Sequence, residues 1–372
     1  MKITKFFALL CAAAVAFVGC SKNTEPTPEL PETSGKLVLK ADKTAVSLGE
    51  TVTFTVEQEG VDVTSVSTIY DSDMNIVNGT FTPIESGSFS FFATKGAESS
   101  NPVVITVLAS MPDLPEDPEP ANTKFNHRII IIDHTGVNCG YCPGMVDKLR
   151  SFAKTEWHSH YNEVTCHAGS MAGGDPGNSA AANALNAFHS NMIEGYPNLV
   201  LNFYAASIGN YGESTWMRYM DEAFKQLVKK DGADAGIALA VTGDQTNVYC
   251  AAQIKSAKTQ EYKVAAWLLE SQIYSPNQSG ATKDYHKIYD FALRNIAPSY
   301  DRNNVQGESV GVIEAGQTLD CAYELPIIST KWAYENMDVL VIVSAKDSNG
   351  RWELVNSALC HIGESKAYEY VK

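Results

Sequence analysis

The chain has 372 residues, with hydrophobic residues at 44% and charged residues at 19%, which fits a folded protein of two or three domains rather than a disordered one. Acidic residues outnumber basic ones 43 to 28, for a formal net charge of −15. Such a surface repels phosphate backbones, and the sequence holds neither a basic stripe nor a nucleic-acid motif, so nucleic acid is not expected as a partner.

Lys2 and Lys5 give a positive start, Phe6 to Val18 carries no charge, and Gly19 precedes Cys20. A small residue before a cysteine at the end of an apolar run resembles a lipobox. That resemblance implies that residues 1–19 are a signal peptide and that the Cys20 thiol takes a lipid, which then attaches the protein to a membrane. Phe17, where Leu is commoner, departs from the pattern, and the alternative is a plain secretory signal with an incidental cysteine. Residues 20–35 read as a flexible tether. No later stretch reaches the roughly 18 apolar residues of a transmembrane helix. Export would place Cys139, Cys142, Cys166, Cys250, Cys321 and Cys360 in an oxidising compartment that permits disulfides.

Residues 36–109 alternate apolar and polar residues in short runs such as Thr51-Val-Thr-Phe-Thr-Val and Val103-Val-Ile-Thr-Val-Leu, a pattern that predicts a small β-sandwich. The phrasing from Ala41 to Val56 resembles bacterial immunoglobulin-like repeats. Asp71, Asp73 and Asn75 have the first ligand spacing of a calcium loop, but Ile76 stands where that loop needs Gly, so calcium is not expected. Residues 110–123 carry four prolines and four acids and read as a stiff linker.

From 124 to 235 strand and helix signals alternate. Ile129–Asp133 reads as a buried strand, Pro143 to Glu156 as a helix, Asn162–Cys166 as a strand, Ser179 to Met192 as a helix, Asn198–Phe203 as a strand and Ser214 to Lys229 as a helix. Residues 236–372 return to strand patterns and predict a second sandwich, with a long loop near 274–310 that either covers a surface or is functional. Cys250 and Cys321 fall on the apolar faces of their strands and could pair; the four cysteines outside the CxxC allow three full pairings.

The chemistry concentrates at Thr135-Gly-Val-Asn-Cys139-Gly-Tyr-Cys142-Pro143. Two thiols separated by two residues at a helix start can form and break a disulfide. The helix dipole favours a Cys139 thiolate, and such motifs have pKa values of about 3.5 to about 7 against about 8.5 for free Cys. Pro143 suits the first turn. A zinc site would need further ligands, for which only Cys166-His167 and His158/His160 offer themselves, so no metal is expected. A purely structural disulfide is the other reading. His167 could tune the pair if it lies near it.

Asp133 ends its strand six residues before Cys139, and Gly195-Tyr196-Pro197 precedes the apolar Asn198–Phe203 run. Both features resemble the thioredoxin family. The resemblance implies that Cys139 is the nucleophile, Cys142 the resolving thiol, Asp133 the proton acceptor and Pro197 a cis residue beside the disulfide, with Tyr141 and Tyr196 facing substrate. Asn138 replaces the family's usual Trp, and Cys142 to Pro197 is longer than in minimal members. The order of lipobox, immunoglobulin-like module, CGYC domain and β domain, together with Val164-Thr-Cys-His167-Ala-Gly, resembles the outer-membrane-protein-28-related lipoproteins and implies an outer-membrane location. The expected fold class is therefore multidomain α+β: an N-terminal immunoglobulin-like β-sandwich (36–109), a linker (110–123), a central α/β thioredoxin-like domain (124–235) and a C-terminal β-sandwich (236–372). The expected function is that of an exported, lipid-anchored thiol–disulfide oxidoreductase or isomerase that acts through Cys139 and Cys142 on the disulfides of secreted or envelope proteins, with protein or peptide thiols and disulfides as partners, the cysteine pair as redox centre and no other cofactor. The alternative is a surface binding or scaffold lipoprotein whose CxxC is a static disulfide.

Overall fold

In the computed structural model, residues 36–299 and 304–372 are described; the expected signal peptide, the tether and Cys20 lie outside them. Residues 37–108 form two facing sheets. One contains Leu37–Ala41 and Val52–Gln58, the other Gly87–Lys95 and Val103–Leu108. Alternating side chains of both meet in a core that includes Phe54 and Phe91, ring centroids 4.8 Å apart, as period-two strands require. The Asp71 carboxylate accepts from the backbone N–H of Asp73 and Asn75 and from the Asn75 amide, so it closes its own turn.

The linker is docked, not free. Lys255 Nζ donates to Asp117 Oδ2 at 2.8 Å and to the Pro120 carbonyl at 2.6 Å, and Tyr370 Oη donates to Asp117 at 2.7 Å. Ala45, Leu108 and Met111 pack on Tyr249 and Ala322. Residues Lys36–Lys372 accordingly form one compact unit.

The expected multidomain α+β layout does not hold. The described residues are mostly β, with three α-helices: α1 (Cys142–Phe152), α2 (Ala180–Phe188) and α3 (Glu213–Leu227). Segments 124–235 and 236–372 do not build separate sheets. One nine-stranded sheet runs through both, in the order Ala206–Ile208, Asn198–Leu201, Ile129–Thr135, Tyr161–His167, Ala292–Ala297, Gln260–Glu270, Met337–Lys346, Trp352–His361, with Glu308–Ile313 also paired to Gln260–Glu270. The junction is a single parallel bridge, Thr165 to Ala292. A free-standing central α/β domain would end its sheet at Tyr161–His167; here that edge is occupied, which removes an exposed strand edge. A second, four-stranded sheet (Thr318–Pro326, Asn247–Ser256, Ala235–Gly243, Ser365–Lys366) shares a core with one face of the large sheet, including Leu239, Ile254, Leu268 and Val341. The helices share a core with the large sheet that includes Ile130, Ile132, Leu149, Phe152, Phe224 and Trp267.

Four consecutive isoleucines, Ile129 to Ile132, are all buried, which suits a strand covered on both faces. α1 buries Met145, Leu149 and Phe152 at helical spacing. α2 starts where Ser179 Oγ accepts from the Ala182 N–H at 2.9 Å.

Candidate functional site

The strand Ile129–Thr135 runs into a tight loop that ends at α1. Cys139 and Cys142 are disulfide-bonded, with Cα atoms 5.4 Å apart. The Cys142 N–H donates to the Cys139 carbonyl at 3.3 Å. Cys142 is the first helical residue and Pro143 follows within the first turn, where a missing N–H costs nothing. Tyr141 is 76% exposed, whereas Cys139 is 3% and Cys142 2% exposed.

Two segments hold the turn that carries the pair. On one side the loop 169–175 holds the CxxC turn: the Asn138 N–H donates to the Met171 carbonyl at 3.0 Å, and Asn138 Nδ2 donates to the Gly173 carbonyl at 3.0 Å. Asp175 Oδ2 accepts from the Val137 N–H at 2.7 Å and sits 3.0 Å from His167 Nδ1. On the other side lies residue 278–280 of the expected long loop. The Ser279 N–H donates to the Val137 carbonyl at 2.8 Å, and Gln278 Nε2 donates to the Cys139 carbonyl at 3.2 Å. Gly280 lies so close that a Cβ there would stand 2.1 Å from the Gly140 carbonyl oxygen.

Beside Cys142 is a cavity of about 410 Å³, lined by Cys142, Asp133, His167, Glu163, Asp290 and Tyr289 among others. Asp133 is buried and its Oδ1 has no hydrogen-bond partner among the described residues. Burial, and then the charge of Glu163, push its carboxyl well above the usual range. Glu163 is pushed up to about 7, by burial and then by Asp290. His167 is buried against Tyr289, ring centroids 4.1 Å apart.

Tyr196 and Pro197 line a different hollow, with Met192, Ser207 and Tyr211. The Tyr196–Pro197 bond is cis, and the next residue, Asn198, pairs with His134. Tyr196 Oη donates to Asn186 Oδ1 at 2.9 Å, and that oxygen also lies 3.2 Å from His134 Nδ1. Thus the structure brings Cys142, Asp133 and His167 to one cavity and places Tyr196 and Pro197 outside it.

Cys166, Cys250, Cys321 and Cys360 are buried free thiols, so the Cys250–Cys321 pairing does not form. Those two face the same core from adjacent strands, with Cys321 opposite Ala252 and Cys250 opposite Tyr323. Burial pushes the Cys321 thiol up to about 12 and the Cys360 thiol up to about 11. Among the described residues no group of three or more His, Cys, Asp or Glu is arranged to hold a metal. Cys166 Sγ donates to the Ala182 carbonyl, and His160 Nδ1 lies 3.3 Å from the His127 carbonyl.

Sequence reasoning missed Gln278, Gly280, Asp175 and Glu163. The first two sit in the loop expected either to cover a surface or to be functional, but nothing in Asn277-Gln-Ser-Gly280 announces its neighbour some 139 residues earlier.

No protein-family profile and no curated protein matches the sequence. Among solved structures the chain is similar to HBP35 of Porphyromonas gingivalis, at 15% identity and a TM-score of 0.53 over 68% of this chain and 79% of that one. At that identity the likeness is one of fold alone. A crystal structure of an Agrobacterium tumefaciens protein aligns at 13% identity over 66% of this chain and 98% of that one, with a TM-score of 0.40, too low to carry an argument.

Proposed function

We propose that the chain exchanges thiols and disulfides through Cys139 and Cys142, acting on exported proteins from a lipid anchor at Cys20 in the outer membrane. The observation that carries the reading is that the unpartnered, buried Asp133 lines one cavity with Cys142, whose disulfide to Cys139 closes at a helix start. In the reduced protein a Cys139 thiolate attacks a substrate disulfide and forms a mixed disulfide, and one substrate sulfur leaves as a thiol. Cys142 gives its proton to Asp133 and attacks Cys139 Sγ, releasing the second substrate thiol. One substrate disulfide is reduced and the cysteine pair is oxidised; the reverse sequence oxidises a substrate dithiol. Exposed Tyr141 meets the substrate chain.

The burial of both cysteines favours a second reading, a binding or scaffold lipoprotein in which the disulfide is a static brace. Titration of residues 21–372 in glutathione buffers, with thiol trapping and Cys139→Ser as control, separates the two. Reversible reduction above roughly −270 mV is expected for exchange, whereas resistance below roughly −300 mV is the behaviour of a structural disulfide and would leave the brace.

A further inference from the structure

The segment bonded to the Cys139 carbonyl is the tip of a hairpin whose base is the two-stranded ribbon Ile273–Tyr274 and Ile288–Tyr289. The Ser275 N–H closes that base on the Lys287 carbonyl at 2.7 Å. We propose that the tip, residues 276–286, is a built-in gate on the disulfide: closed, it bars an attacking thiolate from Cys139, and it swings off its base before exchange begins. The proposal rests on the exchange reading.

Two latches hold the gate, and both are polar. The first lies on the cysteines: the Ser279 and Gln278 bonds to Val137 and Cys139, with Gly280 against Gly140. Gly280 has φ +72° and no room for a Cβ, so the contact requires glycine twice over. The second lies on α1. Asp147 Oδ1 takes Lys283 Nζ at 2.9 Å, Tyr285 Oη at 2.5 Å and His286 Nε2 at 3.1 Å. Arg150 covers the Tyr285 ring, 4.3 Å from its centroid. Tyr289 Oη donates to Gln278 Oε1 at 2.6 Å and ties the base to the first latch. Hydrogen bonds exchange readily for water, and the polar tip belongs to no apolar core, so it has the makeup of a segment that opens locally while the sheet stays folded.

The test follows reduction of the oxidised full chain by dithiothreitol, quenched by alkylation, with the peptide holding Cys139 and Cys142 counted by mass. One dithiothreitol thiolate attacks Cys139 Sγ, and Cys142 leaves and takes a proton. The second dithiothreitol sulfur then displaces Cys139, so dithiothreitol ends as a cyclic disulfide and the pair as two thiols. Gly280→Ala removes the first latch and Asp147→Asn weakens the second. Reduction is expected to quicken at least about tenfold in Gly280→Ala and about threefold in Asp147→Asn, as loss of one or two hydrogen bonds shifts an opening equilibrium, with the glutathione midpoint of the pair unchanged. Asp147→Asn, on a half-exposed helix position, serves alone if Gly280→Ala does not fold. Equal, ready reduction of wild type and variants overturns the gate and leaves exchange standing. A faster rate with a shifted midpoint also overturns it, since the contacts then set the redox equilibrium instead of access. A pair that stays oxidised in all three proteins until urea unfolds them overturns both the gate and the exchange reading.

Discussion

Asp133 and Glu163 stand on neighbouring parallel strands, Glu163 paired with Ile131 and Asp133 with Thr165, and both line the cavity beside Cys142. Each carboxyl is raised, first by burial; Asp133 is raised further by Glu163, and Glu163 by Asp290. A raised folded pKa means that the folded protein keeps protons the unfolded chain has released. The stability of that arrangement is fully present below about pH 4 and is lost as pH rises, for Glu163 through about 7. Asp133→Asn should therefore stabilise the protein at pH 8 and leave it nearly unchanged at pH 4. Glu163→Gln, half-buried, should give a smaller gain in the same window. Urea midpoints of the three proteins across pH 4–8 check this. A gain independent of pH would mean that packing, not charge, sets it.

Asp175 carries a different load. Its two oxygens accept from the Val137 and Gly177 N–H groups at 2.7 Å each, and Oδ2 also meets His167. Burial opposes the charge, yet those bonds keep the carboxyl below its usual range. Asp175→Ala leaves two backbone donors without their acceptor and should cost about 2–4 kcal/mol. Because Val137 leads into the cysteine loop, amide exchange should speed up at Val137 and Gly177 before it does in Ile129–Ile132. Uniform acceleration would show that the loss is global and not seated in this loop.

What could be read from the sequence was local. The Ile129 strand, the start of α1 at the cysteines and the Ala-rich α2 follow from runs of β-branched residues, Pro143 and the Ser179 cap, all of which act over a few residues. The joining of the sheets could not be read. It depends on Ala292-Leu-Arg-Asn-Ile-Ala297, a strand that looks too polar for a core because of Arg294 and Asn295, yet every residue of it is buried. Its polar groups are met from far along the chain: Arg294 Nε by Glu270 at 2.6 Å, and Asn295 Nδ2 by the Pro326 carbonyl at 3.0 Å. The same holds for the gate. Gln278 and Ser279 gain their place from a loop that only folding brings beside them.

The Arg294–Glu270 pair is thus what lets a polar segment enter the sheet. Arg294 also donates to the Asn178 carbonyl at 3.3 Å and stacks on Trp332, while Glu270 Oε1 accepts from the Ala333 N–H at 2.9 Å. Removing one partner strands a buried charge, so Arg294→Ala should destabilise by about 3–5 kcal/mol. Replacing both, Arg294→Met with Glu270→Leu, removes both charges together and should recover most of that loss, since buried ion pairs are often no better than apolar groups of like volume. Urea unfolding of the two variants makes the comparison, and Arg294→Met and Glu270→Leu alone complete the double-mutant cycle. If the double variant is as unstable as Arg294→Ala, the orphaned Asn178 carbonyl and Ala333 N–H outweigh the charge, and the pair serves as a hydrogen-bond hub where the two parts of the sheet meet.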